Sequence, residues 1–276
     1  MSLTSILVHV DASDRAKRNL SAAIKLAETH DAHLTGLFVK APTALPTYAS
    51  VHVPPEVFEM LEQDMEKQAD DAEKLFRDAV KQAGRDDRSD WNHAAGPVAD
   101  TIARIGRCSD LVVIGQEDED IDVVTYRDAP DDIVFSAGRP VLVVPYTGIA
   151  GSMGENILVA WDHSRESARA VADAMPFLER AKSVSVVSVD PKHSEGDVPG
   201  ADIARYLSEH GIDVTVNRFT DKELAVDDVL LNQVADSGAD MLVMGAYGHS
   251  RLREMVLGGV TRHILDHMTV PVLMSH

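Results

Sequence analysis

The chain is written twice, and any fold it adopts must house both copies. Near its start it reads "SILVHVDASDRAKRNLSAAIKLAETHDAHLTGLFV", and from Asn156 it reads "NILVAWDHSRESARAVADAMPFLERAKSVSVVSV". Setting Asp11 on Asp162 places Ile6 on Ile157, Val8 on Val159 and Ser13 on Ser164, an offset of 151. A second match joins "SDLVVIG" (Ser109 to Gly115) to "ADMLVMG" (Ala239 to Gly245), and a third joins "RPVLVVP" to "VPVLMSH", at offsets of 130 and 131. The second copy is therefore shorter in its middle. Three matches in the same order are the mark of an internal duplication.

Each copy alternates short apolar runs with longer amphipathic stretches. In the first, the runs predict strands at Ser5 to Val10, His33 to Val39, Arg88 to His93, Leu111 to Gly115 and Val141 to Val144. Helical patterns lie between them at Asp14 to Thr29, Pro55 to Ala83 and Pro97 to Arg107, and the second copy repeats the order with helices at Ser164 to Ala181, Ala201 to His210, Leu224 to Ser237 and Gly258 to Met268. Runs such as "LVVI" and "VLVV" are what strands covered on both faces require, so each sheet is expected to be parallel with helices on either side. The fold class is α/β: two tandem, doubly wound, Rossmann-like domains, 1–147 and 154–276, divided at "PYTGIAGSMGEN". The closing strands "RPVLVVP" and "VPVLMSH" are candidates to pair with each other, because a bare sheet edge is a liability. That pairing makes the chain a pseudo-dimer and leaves room for a homodimer.

Charge narrows the partners. With 26 basic against 45 acidic residues the net charge is -19. Such a surface repels nucleic acid and anionic membrane, so a phosphate ligand must be held by local backbone dipoles. The start "MSLTSILVHVDAS" lacks the basic and apolar regions of a signal peptide, no apolar stretch approaches a membrane span, and the single Cys108 forms no intrachain disulfide; the expected location is the cytoplasm. Cys108 reads as a small buried residue and not as a nucleophile.

The segment "MGAYGHSRLREMVLGGVTRHIL" sets Gly245, Gly248, Gly258 and Gly259 where an apolar run gives way to a helical pattern. Glycines after a strand let backbone amides close around an anion. In an open parallel sheet ligands bind beyond the carboxyl ends of the strands, where the strand order reverses. "AWDHS", "VSVD" and the glycine cluster all fall at such ends in the second copy.

Taken with that duplication, the spacing Gly245-x2-Gly248-x9-Gly258 resembles the nucleotide motif of the universal stress protein family, G-x2-G-x9-G-[ST]. "ILVAWDHSRESARAV" resembles that family's opening strand, aspartate and helix, and "VPVLMSH" its closing strand. The resemblance spans essentially the whole chain as two repeats of the adenine nucleotide alpha hydrolase-like type. It implies a stress-response protein binding ATP or another adenine nucleotide, with or without magnesium, as a regulatory ligand. Amides around Gly248, His249, Gly258 and Gly259 would surround the phosphates, where a helix N-terminus favours anions. Asp162 would lie near the sugar or base, Ala160 and Trp161 would border the base, and the backbone of Val189 would read the adenine edge. Other readings compete: Asp162 and Ser164 also make an ordinary helix start, Trp161 reads as core edge, and Arg251 and Arg253 as surface ion pairs; Asp11 in the first copy reads only as a cap.

Two departures stand against this. Gly259 replaces the motif's hydroxyl, and Thr261, on another side of the helix, is no substitute. In the first copy the glycines give way to "QEDEDIDVVTYRDAPDDIVFSAG", whose carboxylates repel phosphate at close range, so only the second copy is expected to bind. No S-G-G-x-D-S loop or Walker loop occurs, so no enzyme activity beyond slow ATP hydrolysis is expected. His263 and His267 share a helix face, yet with His276 they define no metal site, and none is expected. The alternative is a nucleotide-free scaffold that acts through an unknown protein partner, met by the long acidic helix.

Overall fold

The computed structural model describes residues 2–42, 54–117, 129–149, 151–189, 200–219, 225–248 and 259–276. The first copy supplies β1 (Ser5–His9), α1 (Asp14–His30), β2 (His33–Lys40), α2 (Pro55–Gln82), β3 (Ser89–Ala95), α3 (Val98–Gly106), β4 (Leu111–Gly115), α4 (Ala129–Ser136) and β5 (Val141–Val144). The second supplies β6 (Asn156–Trp161), α5 (Arg165–Leu178), β7 (Ser183–Val189), α6 (Ala201–Glu209), β8 (Val214–Phe219), α7 (Val226–Ser237), β9 (Met241–Gly245), α8 (Val260–His267) and β10 (Val272–Ser275).

All ten strands form one sheet in the order β3-β2-β1-β4-β5-β10-β9-β6-β7-β8. Within each copy every pairing is parallel, as the continuous apolar runs require. The copies meet where β5 and β10 run antiparallel, Val143 opposite Val272 and Leu142 opposite Leu273. The closing strands thus remove each other's bare edge.

Alternation along the strands sorts the core into two layers. Ile6, Val8, Ile157 and Val159 face α1, α2, α5 and α6, while Leu7, Val112, Leu158 and Leu242 face α3, α4, α7 and α8. The long α2 buries Ala72, Phe76 and Val80 and turns its charges outward. In each copy the order reverses between the first and fourth strands, β1/β4 and β6/β9. The loops leaving their carboxyl ends are therefore the ones that can share a ligand. Among the described residues no helix is long and apolar enough to cross a membrane.

Candidate functional site

The second copy's crevice is built from two loops. After β6 the chain passes through Asp162 and His163 to Ser164, which begins α5. The Asp162 carboxylate accepts from the Ser164 amide at 3.0 Å and its hydroxyl at 2.6 Å, and the Ser164 Oγ in turn accepts from the Ser167 amide at 3.0 Å. Ser164 is therefore the cap and Asp162 its brace. Partial burial pushes the Asp162 pKa up, but the bonds from Ser164 and Ser167 outweigh it and hold the carboxyl below its ordinary value. In the first copy Asp11 likewise braces Ser13, and no side chain caps α1; the cap expected of Asp11 is corrected by this geometry.

After β9 come Ala246, Tyr247 and Gly248. A Cβ on Gly245 would stand 2.5 Å from the backbone of Glu166 and Ser167, so this glycine lets the strand end press against the first turn of α5. Gly248 is exposed, and among the described residues a Cβ there would meet nothing nearer than Glu166 Oε2 at 3.6 Å. Glu166 is only 4% exposed and bonds the exposed guanidinium of Arg165. The sequence reading missed Glu166, although a carboxylate at the i+4 position from Asp162 was a visible sign.

Three non-glycine residues are left-handed among the described residues, and two flank this crevice: His163 (φ 63°) and Tyr247 (φ 57°). Such conformations persist where surroundings over-determine them. Tyr247 is held by three means: its amide donates to Thr261 Oγ1 at 3.2 Å, its hydroxyl donates to Asp131 on α4 of the first copy, and its ring meets Phe135 edge-on at 5.9 Å. The Thr261 hydroxyl is thus engaged in fixing the loop. Gly259 is the N-cap of α8, with an ordinary φ of -72° and no side-chain cap.

Ala160 and Trp161, the last residues of β6, are half-buried and face opposite sides of the sheet. Trp161 packs against the core edge and lies 5.5 Å from His163. Its Nε1 and the buried hydroxyl of Ser188, paired with it in register, have no hydrogen-bond partner among the described residues. Val189 ends β7 beside Phe219. His249 and Gly258, with Arg251 and Arg253, lie outside the described residues.

The first copy fills the corresponding positions. His9, Asn19 and Gln116 are all buried there; their equivalents in the second copy are Ala160, Ala170 and Ala246. Asn19 covers the end of β4, its amide 2.6 Å from where a Cβ on Gly115 would be. Gln116 Nε2 donates to the carbonyls of Leu265 and Asp266 at 2.8 and 3.0 Å, and its Oε1 accepts from the Tyr146 amide. The loop after β4 is thereby anchored on α8, as Tyr247 after β9 is anchored on α4.

Burial lowers the pKa of His9 from 6.5, the negative Asp11 opposing and Arg15 adding to the effect; His30 is lowered by burial and Arg180. A histidine kept neutral in the fold but able to charge when unfolded binds fewer protons in the folded state. Stability is therefore full above 6.5 and falls as pH drops below it. Urea midpoints are expected to decline between neutral and mildly acid pH, and His9→Gln is expected to flatten that slope.

Elsewhere, Cys108 is exposed, correcting the buried position expected of it; it lies in the turn that leaves α3. His263 and His267 stack at 4.2 Å, His263 facing Asp227 and Asp228 at 3.6 and 3.8 Å. No group of three or more metal-ligating side chains gathers among the described residues.

The model of the universal stress protein family matches residues 3–145 and again residues 153–276. A universal stress protein of Synechocystis sp. is 38% identical over 47 residues, a match spanning 17% of this chain and 16% of that relative. The crystal structure of a universal stress protein from Archaeoglobus fulgidus superposes with a TM-score of 0.78 at 16% identity, covering 98% of this chain and 96% of the other. A putative universal stress protein from Pseudomonas aeruginosa does so with a TM-score of 0.60 at 17% identity, covering 99% and 93%.

Proposed function

The chain belongs to the universal stress protein family, and from that premise we propose that its second copy binds one adenine nucleotide in the crevice between the β6 and β9 loops, as a regulatory ligand in a cytoplasmic stress response. The observation that carries this reading is the inequality of the copies. Where the first has His9, Asn19 and Gln116, the second has three alanines, and Ala160 is partly exposed where His9 is buried. A base and sugar suit that end of the crevice, beside Asp162 and near Trp161 Nε1 and Ser188 Oγ, two buried atoms with no hydrogen-bond partner among the described residues.

The phosphate end is less well furnished. Gly248 leaves its amide open to approach, and Arg165 offsets the charge of buried Glu166. No hydroxyl stands at Gly259, and that of Thr261 is already engaged. AMP and ADP are therefore favoured over ATP, and binding without turnover is the proposed mode of action. When bound, the nucleotide would supply only its charge and bulk; the protein's part is the loop. Movement of Gly248 would be felt at Tyr247 and, through Asp131, at α4 of the first copy.

Titration of nucleotide-stripped protein with AMP, ADP and ATP, with and without magnesium, tests the reading. One site per chain is expected. Gly259→Ser, at a cap position whose φ any residue adopts, is expected to raise ATP affinity about tenfold by adding a hydroxyl bond to a charged phosphate. Absence of binding by all three nucleotides in both proteins would leave the nucleotide-free scaffold, which the buried carboxylate of Glu166 beside Gly248 favours.

A further inference from the structure

A groove lies between α1 and the linker that joins the copies. Lys17, Ser21 and Lys25 recur at four-residue intervals along one face of α1, with Arg18 and Ala22 beside them. Together with Thr147, Gly148, Ile149 and Gly151 they enclose a half-open groove of about 400 Å³. Among the described residues no acidic side chain lines it, in a chain that carries 45 acidic residues against 26 basic ones.

The linker is shaped to hold these cations in place. Gly148 and Gly151 are left-handed at φ 80° and 98°, and Gly148 stacks on the stem of Arg18, where a Cβ would approach Cδ at 3.3 Å. The Arg18 guanidinium donates to the carbonyl of Tyr146, and Lys25 Nζ to that of Gly151 at 2.6 Å. These bonds engage one donor from each of two groups that carry five and three. Lys17 pairs at 2.8 Å with Asp14, and both are well exposed.

The second copy shows that the fold itself does not need these charges. At the positions of Lys17, Arg18, Ser21 and Lys25 it has Ala168, Arg169, Ala172 and Pro176. The one cation retained there, Arg169, is neutralised by Asp173 at 3.0 Å; the first copy has Ala22 in place of that aspartate. Of the three cations gathered here Lys17 is paired with Asp14, Arg18 and Lys25 are held by linker carbonyls, and the carboxylate that quenches Arg169 has no counterpart beside Arg18.

We propose that this groove binds a small, multiply charged oxyanion of the phosphate type. Two ammonium groups, a guanidinium and the Ser21 hydroxyl can surround an anion from several sides, and the volume admits a pyrophosphate-sized group. Because the linker carbonyls already hold Arg18 and Lys25, an occupant would fasten the linker to α1. The site is independent of the nucleotide crevice and does not rest on that assignment.

Titration of isotope-labelled full-length protein with inorganic pyrophosphate, at constant ionic strength, tests the proposal. Saturable shifts are expected at the backbone amides of Thr147, Gly148, Ile149 and Gly151. The paired substitution Lys17→Gln and Lys25→Gln is expected to weaken them at least about tenfold, since each removes a charge-assisted bond. Gly248→Val is expected to leave them unchanged. Absence of shifts at those amides, shifts untouched by the lysine substitutions, or shifts abolished by Gly248→Val would each overturn the proposal; equal shifts with chloride would overturn it by reducing the effect to screening.

Discussion

Gly248→Val lowers adenine-nucleotide affinity by at least about a hundredfold, equivalent to roughly 2.7 kcal/mol, while the melting temperature stays within about 2 °C of the parent. The expectation of an intact fold comes from the space around the residue. A Cβ at Gly248 meets Glu166 Oε2 at 3.6 Å and Ser164 at 3.8 Å, ordinary contacts at an exposed position. The expectation of lost binding comes from what the valine methyls would occupy, the approach to the loop amide from the crevice. Isothermal titration and thermal melts on the same sample separate the two effects. Unchanged affinity would remove this loop from the nucleotide site.

Gly245→Ala has the opposite signature. Its new methyl would stand 2.5 Å from the Glu166 carbonyl carbon and the Ser167 nitrogen, and backbone at the start of a capped helix cannot step aside as a side-chain tip can. Either β9 or α5 must shift, at about 3 kcal/mol, and for a chain of this size the melting temperature is expected to fall by about 5 °C. Circular dichroism melts of the variant would measure it. A parental melting temperature would mean that the strand and helix are not packed as described. Two glycines of one motif thus separate into a packing role and an access role.

Much of the fold was legible because apolar runs mark strands buried on both faces. Leu111 to Gly115 and Val141 to Val144 coincide with β4 and β5, and the expected pairing of the closing strands is present, in the antiparallel sense. Helix α4 was not foreseen. The segment around Asp131 and Asp132 was read for the repulsion of its carboxylates, yet Pro130 and two acids in a first turn are also how a helix begins. In the site, the duplication led to Asp162, Ser164, Gly245 and Gly248, which stand on neighbouring strand ends and the loops that follow them. Tyr247 was beyond reach, since the partner that holds it lies 116 residues away in the other copy. The exchange of His9, Asn19 and Gln116 for alanines was present in the two offsets, but only the fold shows that all three are buried and that Asn19 covers the end of β4.

The seam between β5 and β10 has a further consequence. Two separate chains meeting through such a seam would be identical by symmetry, each obliged to carry whatever the other carries. Here the partners are tethered, so they stay together at any dilution. Unlike symmetric subunits, they can also diverge. One half has filled its strand ends with histidine, asparagine and glutamine while the other has kept them lean, and each anchors a loop on its neighbour. A fused pair of this kind is a dimer with a built-in front and back, fixed in stoichiometry and in direction.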